Sequence, residues 1–216
     1  MRDFFIKPEP KETIPVRQTI KLVRQYLSSI NIASVLSLSI VPYSLCQMGL
    51  LVFAVPVYLN SLGVTQSGIG RVLMVYGATV VYFSPVIGRF ADRGRGSRRI
   101  MIFTGGVIGG LSLFLVVFIK GVVSVVSALF LMGVASSILA SSQLVFAYEQ
   151  PVTKKIGSGV AVSLQRFADK LGQMLGPLVL GLLFSFTKIE TGLGIVGAMF
   201  LSASFLFMIL TAKKGS

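Results

Sequence analysis

The ionisable residues of this chain are few, and they lack the pattern of an enzyme. The 216-residue sequence contains seven acidic residues, no histidine and one cysteine, Cys46. Without histidine there is no imidazole base, and neither a zinc cluster that needs histidine nor a histidine proton switch can form. A single cysteine also cannot form an internal disulfide, and no glycine-rich phosphate loop leads from a strand into a helix. We therefore expect no enzymatic activity, no bound metal and no cofactor.

Uncharged polar side chains within the apolar stretches are the candidates for binding a small solute. Tyr43 and Gln47 are four residues apart, and so are Ser137 and Ser141, so each pair shares one face of a helix. The candidate residues are Tyr43, Gln47, Ser137, Ser141 and Gln143. Hydrogen bonding between helices is the alternative role for the same side chains.

Six long apolar stretches predict the helices that must position these side chains. Charged residues make up 12% of the chain, whereas a soluble domain carries about 25%. About 18 or more apolar residues suffice for a helix to cross a bilayer. The predicted spans cover residues 31–59, 72–88, 100–119, 121–146, 171–187 and 191–212. The predicted fold class is therefore an all-α integral membrane protein, with the fifth helix beginning near Ser158 and kinks at Pro42 and Pro56 in the first.

Lysine and arginine residues alternate between the two ends of the predicted spans. Of the 20 such residues, all except Arg71, Lys120 and Lys188 lie in the two tails, in the break between the second and third spans, or in the break between the fourth and fifth. Short segments rich in these residues stay in the cytoplasm. We therefore expect a protein of the plasma or cytoplasmic membrane with both termini in the cytoplasm. Because orientation explains the net charge of +13, we expect no nucleic-acid partner.

The charges that lie deepest are Arg166, Asp169 and Lys170, before the fifth apolar stretch. Arg166 and Asp169 are three residues apart and can form an ion pair on one helix face. Such a pair has two alternative roles, a contact or gate on the cytoplasmic side, or a boundary charge that reaches water. All seven acids lie in tails, loops or near span ends, so we expect no proton-carrying carboxylate at the middle of the membrane.

The N-terminal residues 1–30 are predicted to be a cytoplasmic tail that contains an amphipathic helix. In "PVRQTIKLVRQYLSSI", residues 15–30, an apolar stripe lies opposite the basic residues; the stripe is Val16, Ile20, Val23 and Leu27. Such a helix lies on the inner membrane surface, and a soluble helix leading into the first span is the alternative. Residues 31–212 then form the six-helix membrane domain, and residues 213–216 a second cytoplasmic tail.

Two segments carry glycines at spacings that favour close helix packing. "TGGVIGG" places glycines four apart in the third span, and "GQMLGPLVLG" places Gly172 and Gly176 four apart in the fifth. Small residues at this spacing let helix backbones approach each other. Pro177 lacks a backbone N–H and is expected to kink the fifth helix.

The segment "GRFADRGRGSRR", residues 88–99, combines five arginines, one aspartate and three glycines between two apolar stretches. It resembles the signature loop of the major facilitator superfamily, which joins the second and third helices of each half. In this sequence the later glycine is displaced by one position and the basic pair by two. "LQRFADKLGQMLGPLVLG" resembles the eleventh helix of such permeases, and "VPVYLNSLGVTQSGIGRVLMVYG" their C-terminal first-to-second helix region. The loop residues that carry the resemblance are Gly88, Ala91, Asp92, Arg93, Gly96, Arg98 and Arg99.

The resemblance implies the C-terminal six-helix half of a permease, built as a 3+3 inverted repeat. The first and fourth spans of such a half line the central cavity, the second and fifth face the other half, and the third and sixth face lipid. Tyr76, Thr79 and Tyr82 of the second span would then belong to the seam between halves. Asp92 would meet the N-terminal end of a helix in the opposite half and stabilise the cytoplasmically closed state.

The resemblance therefore implies transport of a small solute by alternating access, together with a second six-helix half. That half would be a separate chain or a second copy, and the lipid bilayer is the other expected partner. Two alternatives remain, a membrane-embedded sensory or interaction module without flux of its own, and a fragment that needs its partner half. The sequence does not identify the solute, its direction of transport or a coupling ion.

Overall fold

The structure of the protein is a computed structural model that describes residues 16–91 and 95–212. All regular elements within these residues are helices, and six of the helices are long and apolar enough to cross a membrane. The predicted all-α membrane class is thus confirmed. The first to sixth spans are Ile30–Ser61, Gln66–Ala91, Arg95–Phe118, Val122–Glu149, Ser158–Phe186 and Ile189–Ala212.

The first span is a continuous helix that changes its winding before each of its two prolines. The stretches Val35–Ile40 and Gly49–Ala54 are π-helical, and Pro42 and Pro56 follow at the start of the next α-helical turn. A proline inside an α-helix removes one hydrogen bond and clashes with the carbonyl four residues earlier. The wider π-helical turn accommodates that carbonyl, so the helix continues across both prolines.

Three glycines with positive φ angles mark the ends of spans. Gly63 has a φ of 78° after the first span, Gly121 has 92° before the fourth, and Gly157 has 88° before the fifth. Glycine adopts this left-handed region without steric cost. The short helix Pro151–Ile156 fills the connection between the fourth and fifth spans, and Gly157 turns the chain from this helix into the fifth span.

The contacts among the six spans relate the first three spans to the last three as an inverted repeat. The second span packs on the fourth, and the fifth packs on the first in the same way. The third also packs on the fourth as the sixth packs on the first, while the third and sixth contact each other. This pattern is unchanged when the first three spans are exchanged for the last three. Because three is an odd number of crossings, the exchange reverses the direction of each span across the membrane.

Glycines of the third span bring the fourth and sixth spans close to it. A Cβ atom at Gly105 would lie 2.9 Å from Leu139 of the fourth span, and one at Gly109 would lie 2.7 Å from Phe200 of the sixth. These close approaches leave no space for a larger residue. The third span therefore fixes the fourth and sixth, and with them the scaffold on which the remaining spans pack.

The amphipathic helix, Val16–Leu27, packs on the short connection helix with a face that includes Val23 of the predicted stripe. Tyr26 is buried, and Leu22 and Val23 pack against the core. Ile20 and Leu27 of the predicted stripe are instead exposed. The helix thus has one side against the protein and leaves two apolar side chains uncovered.

Candidate functional site

A partly open cavity of ≈ 320 Å³ lies between the first, fourth and fifth spans. Its size is at the lower end of the range for pockets that bind small molecules, about 300–1,000 Å³. Apolar side chains contribute part of the wall, and amides and charged groups the rest. The lining residues are Ile40, Tyr43, Gln47, Ala140, Gln143, Leu144, Val162, Gln165, Arg166, Asp169 and Gln173.

The cavity wall depends on a close contact between the first and fifth spans. A Cβ atom at Gly172 would lie 2.6 Å from the carbonyl oxygen of Val41, and one at Gly176 would lie 2.5 Å from that of Leu45. Gly49 faces the same contact from the first span, where a Cβ would lie 3.1 Å from the Gly176 carbonyl oxygen. The helix backbones therefore touch here, and polar side chains next to the contact can bond across it. The fifth helix continues through Pro177 without interruption.

Asp169 is held by neutral donors from both sides of this contact. The Ser44 hydroxyl donates to its Oδ1 atom at 2.5 Å, and the Gln173 amide donates to its Oδ2 atom at 2.9 Å. The Lys170 ammonium donates in turn to the Gln173 carbonyl oxygen at 2.8 Å. Both carboxylate oxygens of Asp169 therefore accept hydrogen bonds. The Gln173 amide lies between Asp169 and the Lys170 ammonium and connects the two charges indirectly.

The predicted ion pair between Arg166 and Asp169 is not formed. Within the described part of the chain, the Arg166 guanidinium makes no hydrogen bond and no ion pair, and its side chain is exposed. Asp169 has turned toward the first span, because Ser44 lies across the glycine contact and supplies a hydroxyl donor. The two charges therefore line the cavity separately.

Asp169 lies about three turns inside the fifth helix, as the predicted start near Ser158 implies. It follows the start of its helix at Ser158 by 11 residues, which corresponds to about 16 Å at 1.5 Å per residue. Its partner Ser44 is near the middle of the 32-residue first span. The two side chains thus meet well inside their helices, and the expectation that no proton-carrying carboxylate lies at the middle of the membrane stays a prediction.

A second hydrogen-bonded chain links the cavity to the second span. The Gln47 amide donates to the Tyr76 hydroxyl at 2.5 Å, and Tyr76 donates to Ser136 at 3.0 Å. On the fourth span, the Gln143 amide donates to the Ser39 hydroxyl at 2.8 Å. Tyr76, which the sequence analysis assigns to the seam, therefore orients a cavity side chain.

Ser137 and Ser141 do not line the cavity. Ser137 is fully buried and accepts a hydrogen bond from Ser84 of the second span at 3.2 Å. The Ser141 hydroxyl donates to the carbonyl oxygen of Ser137 in its own helix. The structure thus separates the predicted cavity set: Tyr43, Gln47 and Gln143 lie at the wall, whereas the two serines serve helix packing and local bonding.

Gln165 and Gln173 of the fifth span are polar cavity residues that the sequence analysis missed. Gln165, Asp169 and Gln173 follow one another at intervals of four residues, so all three point to one side of the helix. This spacing is visible in the sequence, in which Asp169 alone of the three was a candidate.

Arg98 and Arg99, at the C-terminal end of the signature loop, connect the third span to the fourth and the sixth. Arg98 at the start of the third span forms a salt bridge with Glu149 at the end of the fourth. Arg99 donates to the carbonyl oxygens of Met208 and Thr211 at 3.2 and 3.0 Å, and so caps the C-terminal end of the sixth helix.

Other loop residues give less information about a gate. A Cβ atom at Gly88 would meet nothing within 4 Å, so within the described residues no close approach requires this glycine. Asp92 and Arg93 lie outside the residues that the structure describes. The gate that the loop resemblance implies thus stays a prediction.

The second and fifth spans present the most exposed faces of the bundle. Only 11% and 22% of their most apolar 18-residue stretches are buried, compared with 56% for the fourth span. Their uncovered apolar side chains include Val81 and Tyr82 in the second span, and Leu178 and Phe186 in the fifth. The fifth span itself lines the cavity, and the second packs on the fourth, which lines it too.

Comparison with known proteins agrees with this architecture. A family model described as the Major Facilitator Superfamily matches residues 36–215. The match begins within the first span and extends past the end of the sixth. No curated protein matches the chain.

Proposed function

Because the chain belongs to the major facilitator superfamily, whose members are membrane transporters, we propose that it is one half of a permease that moves a small solute by alternating access. The observation that carries this proposal is the polar cavity between the first, fourth and fifth spans. Amides and charges are costly inside a membrane and mark solute pathways there. Its groups suit reversible binding by hydrogen bonds and charge, without covalent chemistry.

The exposed faces of the second and fifth spans support a second six-helix unit as the missing wall of the cavity. Lipid would cover the apolar side chains of these faces equally well. However, Lys170 is exposed on the fifth span, 12 residues from the start of its helix, at a depth of about 18 Å. A charge at this depth is disfavoured against lipid and is tolerated against protein or water. A separate chain or a second copy would supply that surface.

The proposed orientation has both termini and the signature loop in the cytoplasm of a plasma or cytoplasmic membrane. It rests on the distribution of lysine and arginine. Arg98 and Arg99 then hold the cytoplasmic ends of the third, fourth and sixth spans as one rigid group. Asp92 of the same loop is proposed to contact the opposite unit in the cytoplasmically closed state.

Liposome swelling tests this function without knowledge of the solute. The protein would be purified in mild detergent with any subunit that accompanies it, reconstituted, and placed in isosmotic solutions of sugars, polyols, amino acids and ammonium salts of organic acids. Light scattering reports net solute entry. We expect at least one solute class to swell the protein-containing liposomes faster than protein-free ones.

The same assay separates the proposal from its main alternative. A sensory or interaction module of this fold would bind a ligand and carry no flux, so it would leave every solute at the protein-free rate. That outcome would contradict the transport function.

A further inference from the structure

We propose that the cavity accepts a small organic acid with one carboxylate and a neighbouring hydroxyl or ammonium group. This inference rests on the proposed function and specifies its solute class. It follows from the hydrogen-bonding groups at the cavity wall, once those already engaged within the protein are set aside.

Arg166 is the charged group of the wall with open bonding capacity. Its guanidinium carries five N–H donors and no acceptor, and among the described residues none of these donors is engaged. The neighbouring charges are committed. Asp169 accepts from Ser44 and Gln173, and Lys170 donates to Gln173. An incoming anion therefore meets a free guanidinium, and it does not have to break an internal ion pair.

A carboxylate fits this guanidinium better than a more highly charged group. The planar fork of an arginine matches the two oxygens of a carboxylate in a bidentate contact. The wall has one arginine and one carboxylate, Asp169, so a second negative charge on the solute would be repelled. A monoanion thus gains the contact with Arg166 at the least electrostatic cost.

The two wall amides on the first and fourth spans offer acceptors. Gln47 donates its amide N–H to Tyr76, and Gln143 donates its own to Ser39. These bonds fix the orientation of both amides. Their carbonyl oxygens accept no hydrogen bond from the residues that the structure describes. Carbonyl oxygens need donors, which a hydroxyl or an ammonium group of the solute provides. A plain carboxylate leaves them unsatisfied.

The cavity has room for a small organic solute. Its volume is ≈ 320 Å³, and the apolar wall consists of Ile40, Ala140, Leu144 and Val162. Such a wall suits a short hydrocarbon segment beside the two neighbouring polar groups. Lactate, with its carboxylate and adjacent hydroxyl, is the simplest probe of this class.

Isothermal titration of the full-length protein in detergent would measure binding of three matched probes. Lactate has both groups, lactamide replaces the carboxylate with a neutral amide, and propionate lacks the hydroxyl. We expect lactate to bind, propionate to bind more weakly, and lactamide to bind at least about 10-fold more weakly than lactate, because a charged hydrogen-bond pair is lost. Sodium chloride would keep the ionic strength equal.

Two variants assign the binding to the cavity. Arg166→Gln should weaken lactate binding about 10-fold or more and leave lactamide binding unchanged. Lys155→Gln removes an exposed positive charge on the short connection helix and should leave lactate binding as it is. Thermal unfolding of both variants without ligand checks that they are folded.

Several results would overturn the proposal. These are absence of lactate binding to the unsubstituted protein, equal binding of lactamide, equal binding of propionate, and equal effects of the two variants. The swelling assay distinguishes this failure from a failure of the transport function. If neutral solutes cross the membrane but lactate does not bind, the transport function holds and the organic-acid proposal fails. If lactate binds in an Arg166-dependent way but no solute crosses, the organic-acid proposal holds and the transport function fails.

Discussion

Asp169 illustrates how a carboxylate is retained within an apolar helix bundle. An isolated charge in a membrane is expensive, and its cost falls when hydrogen-bond donors surround it. Ser44 and Gln173 each occupy one carboxylate oxygen. Because the serine donor comes from the first span and the carboxylate from the fifth, the bond also joins the two helices at the cavity wall.

Loss of the serine hydroxyl should therefore reduce stability. In Ser44→Ala, one oxygen of Asp169 remains without its donor, and we expect the free energy of unfolding to fall by about 1–3 kcal/mol. Thermal or denaturant unfolding in detergent measures this change. Ser163→Ala is the matched control, because the exposed Ser163 hydroxyl bonds only to the Gly159 carbonyl of its own helix. Its effect should stay within about 0.5 kcal/mol, and equal effects of both substitutions would contradict the role of Ser44.

At the scale of single residues, the sequence predicts some of the polar side chains of the cavity wall and not others. Gln47 and Gln143 are the only glutamines in the first and fourth predicted spans, so they stood out as candidates for the wall. Ser137 and Ser141 looked similar, but a serine can donate to a carbonyl of its own helix, and both hydroxyls do so. The side that a serine faces depends on how the neighbouring helix is packed, which residue spacing does not reveal.

At the scale of helices, the contact between the first and fifth spans determines the shape of the site. Gly172, Gly176 and Gly49 allow the two backbones to touch. Any side chain at these positions would push the helices apart and draw Ser44 away from Asp169. Packing and the polar wall are thus coupled through the same residues.

Gly176→Ala tests this coupling. The added Cβ would lie 2.5 Å from the carbonyl oxygen of Leu45, and such overpacking costs about 1–3 kcal/mol. Gly77→Ala in the second span is the control, because a Cβ there meets nothing within 4 Å. Alanine favours a helix over glycine by about 1 kcal/mol, so Gly77→Ala should raise the unfolding temperature or leave it unchanged. A Gly176→Ala protein as stable as Gly77→Ala would contradict the contact.

The existence of the six spans was predictable from apolar length, and the start of the fifth near Ser158 was predicted as well, whereas the start of the second was placed six residues too late. The second span begins at Gln66 and the fifth at Ser158, well before their apolar stretches at residues 72 and 171. Helices continue into polar sequence until a turn stops them, and Gly63 and Gly157 supply turns before these two spans. The polar lead-in of the fifth span also contains Gln165, a cavity residue that the sequence analysis did not name, beside Arg166 and Asp169, which it did.

At the scale of the whole molecule, the inverted repeat places the cavity beside the two exposed helices. The second and fifth spans occupy equivalent positions in the repeat, and each packs on one central helix of the other group. Their remaining faces are uncovered. In the proposed function, such a bundle would form one side of a solute path and a second bundle the other.

Orientation in the membrane can be tested with single cysteines in a Cys46→Ser background. Ser61 is the last residue of the first span and Lys155 lies on the connection between the fourth and fifth spans, and both are exposed. An impermeant thiol reagent added to intact cells should label Ser61→Cys, and it should label Lys155→Cys only after the membrane is opened. The opposite pattern would mean that the protein is inverted.

The central claim is that the cavity opens alternately to the two sides of the membrane. Gln47 lies at its wall near the middle of the first span, so Gln47→Cys in the Cys46→Ser background reports access directly. The measurement is the rate of labelling by an impermeant thiol reagent in intact cells and in inside-out vesicles, with Ser61→Cys and Lys155→Cys as one-sided controls. The account predicts that Gln47→Cys is labelled from both sides while each control is labelled from one. Labelling of Gln47→Cys from a single side, or from neither, would contradict it.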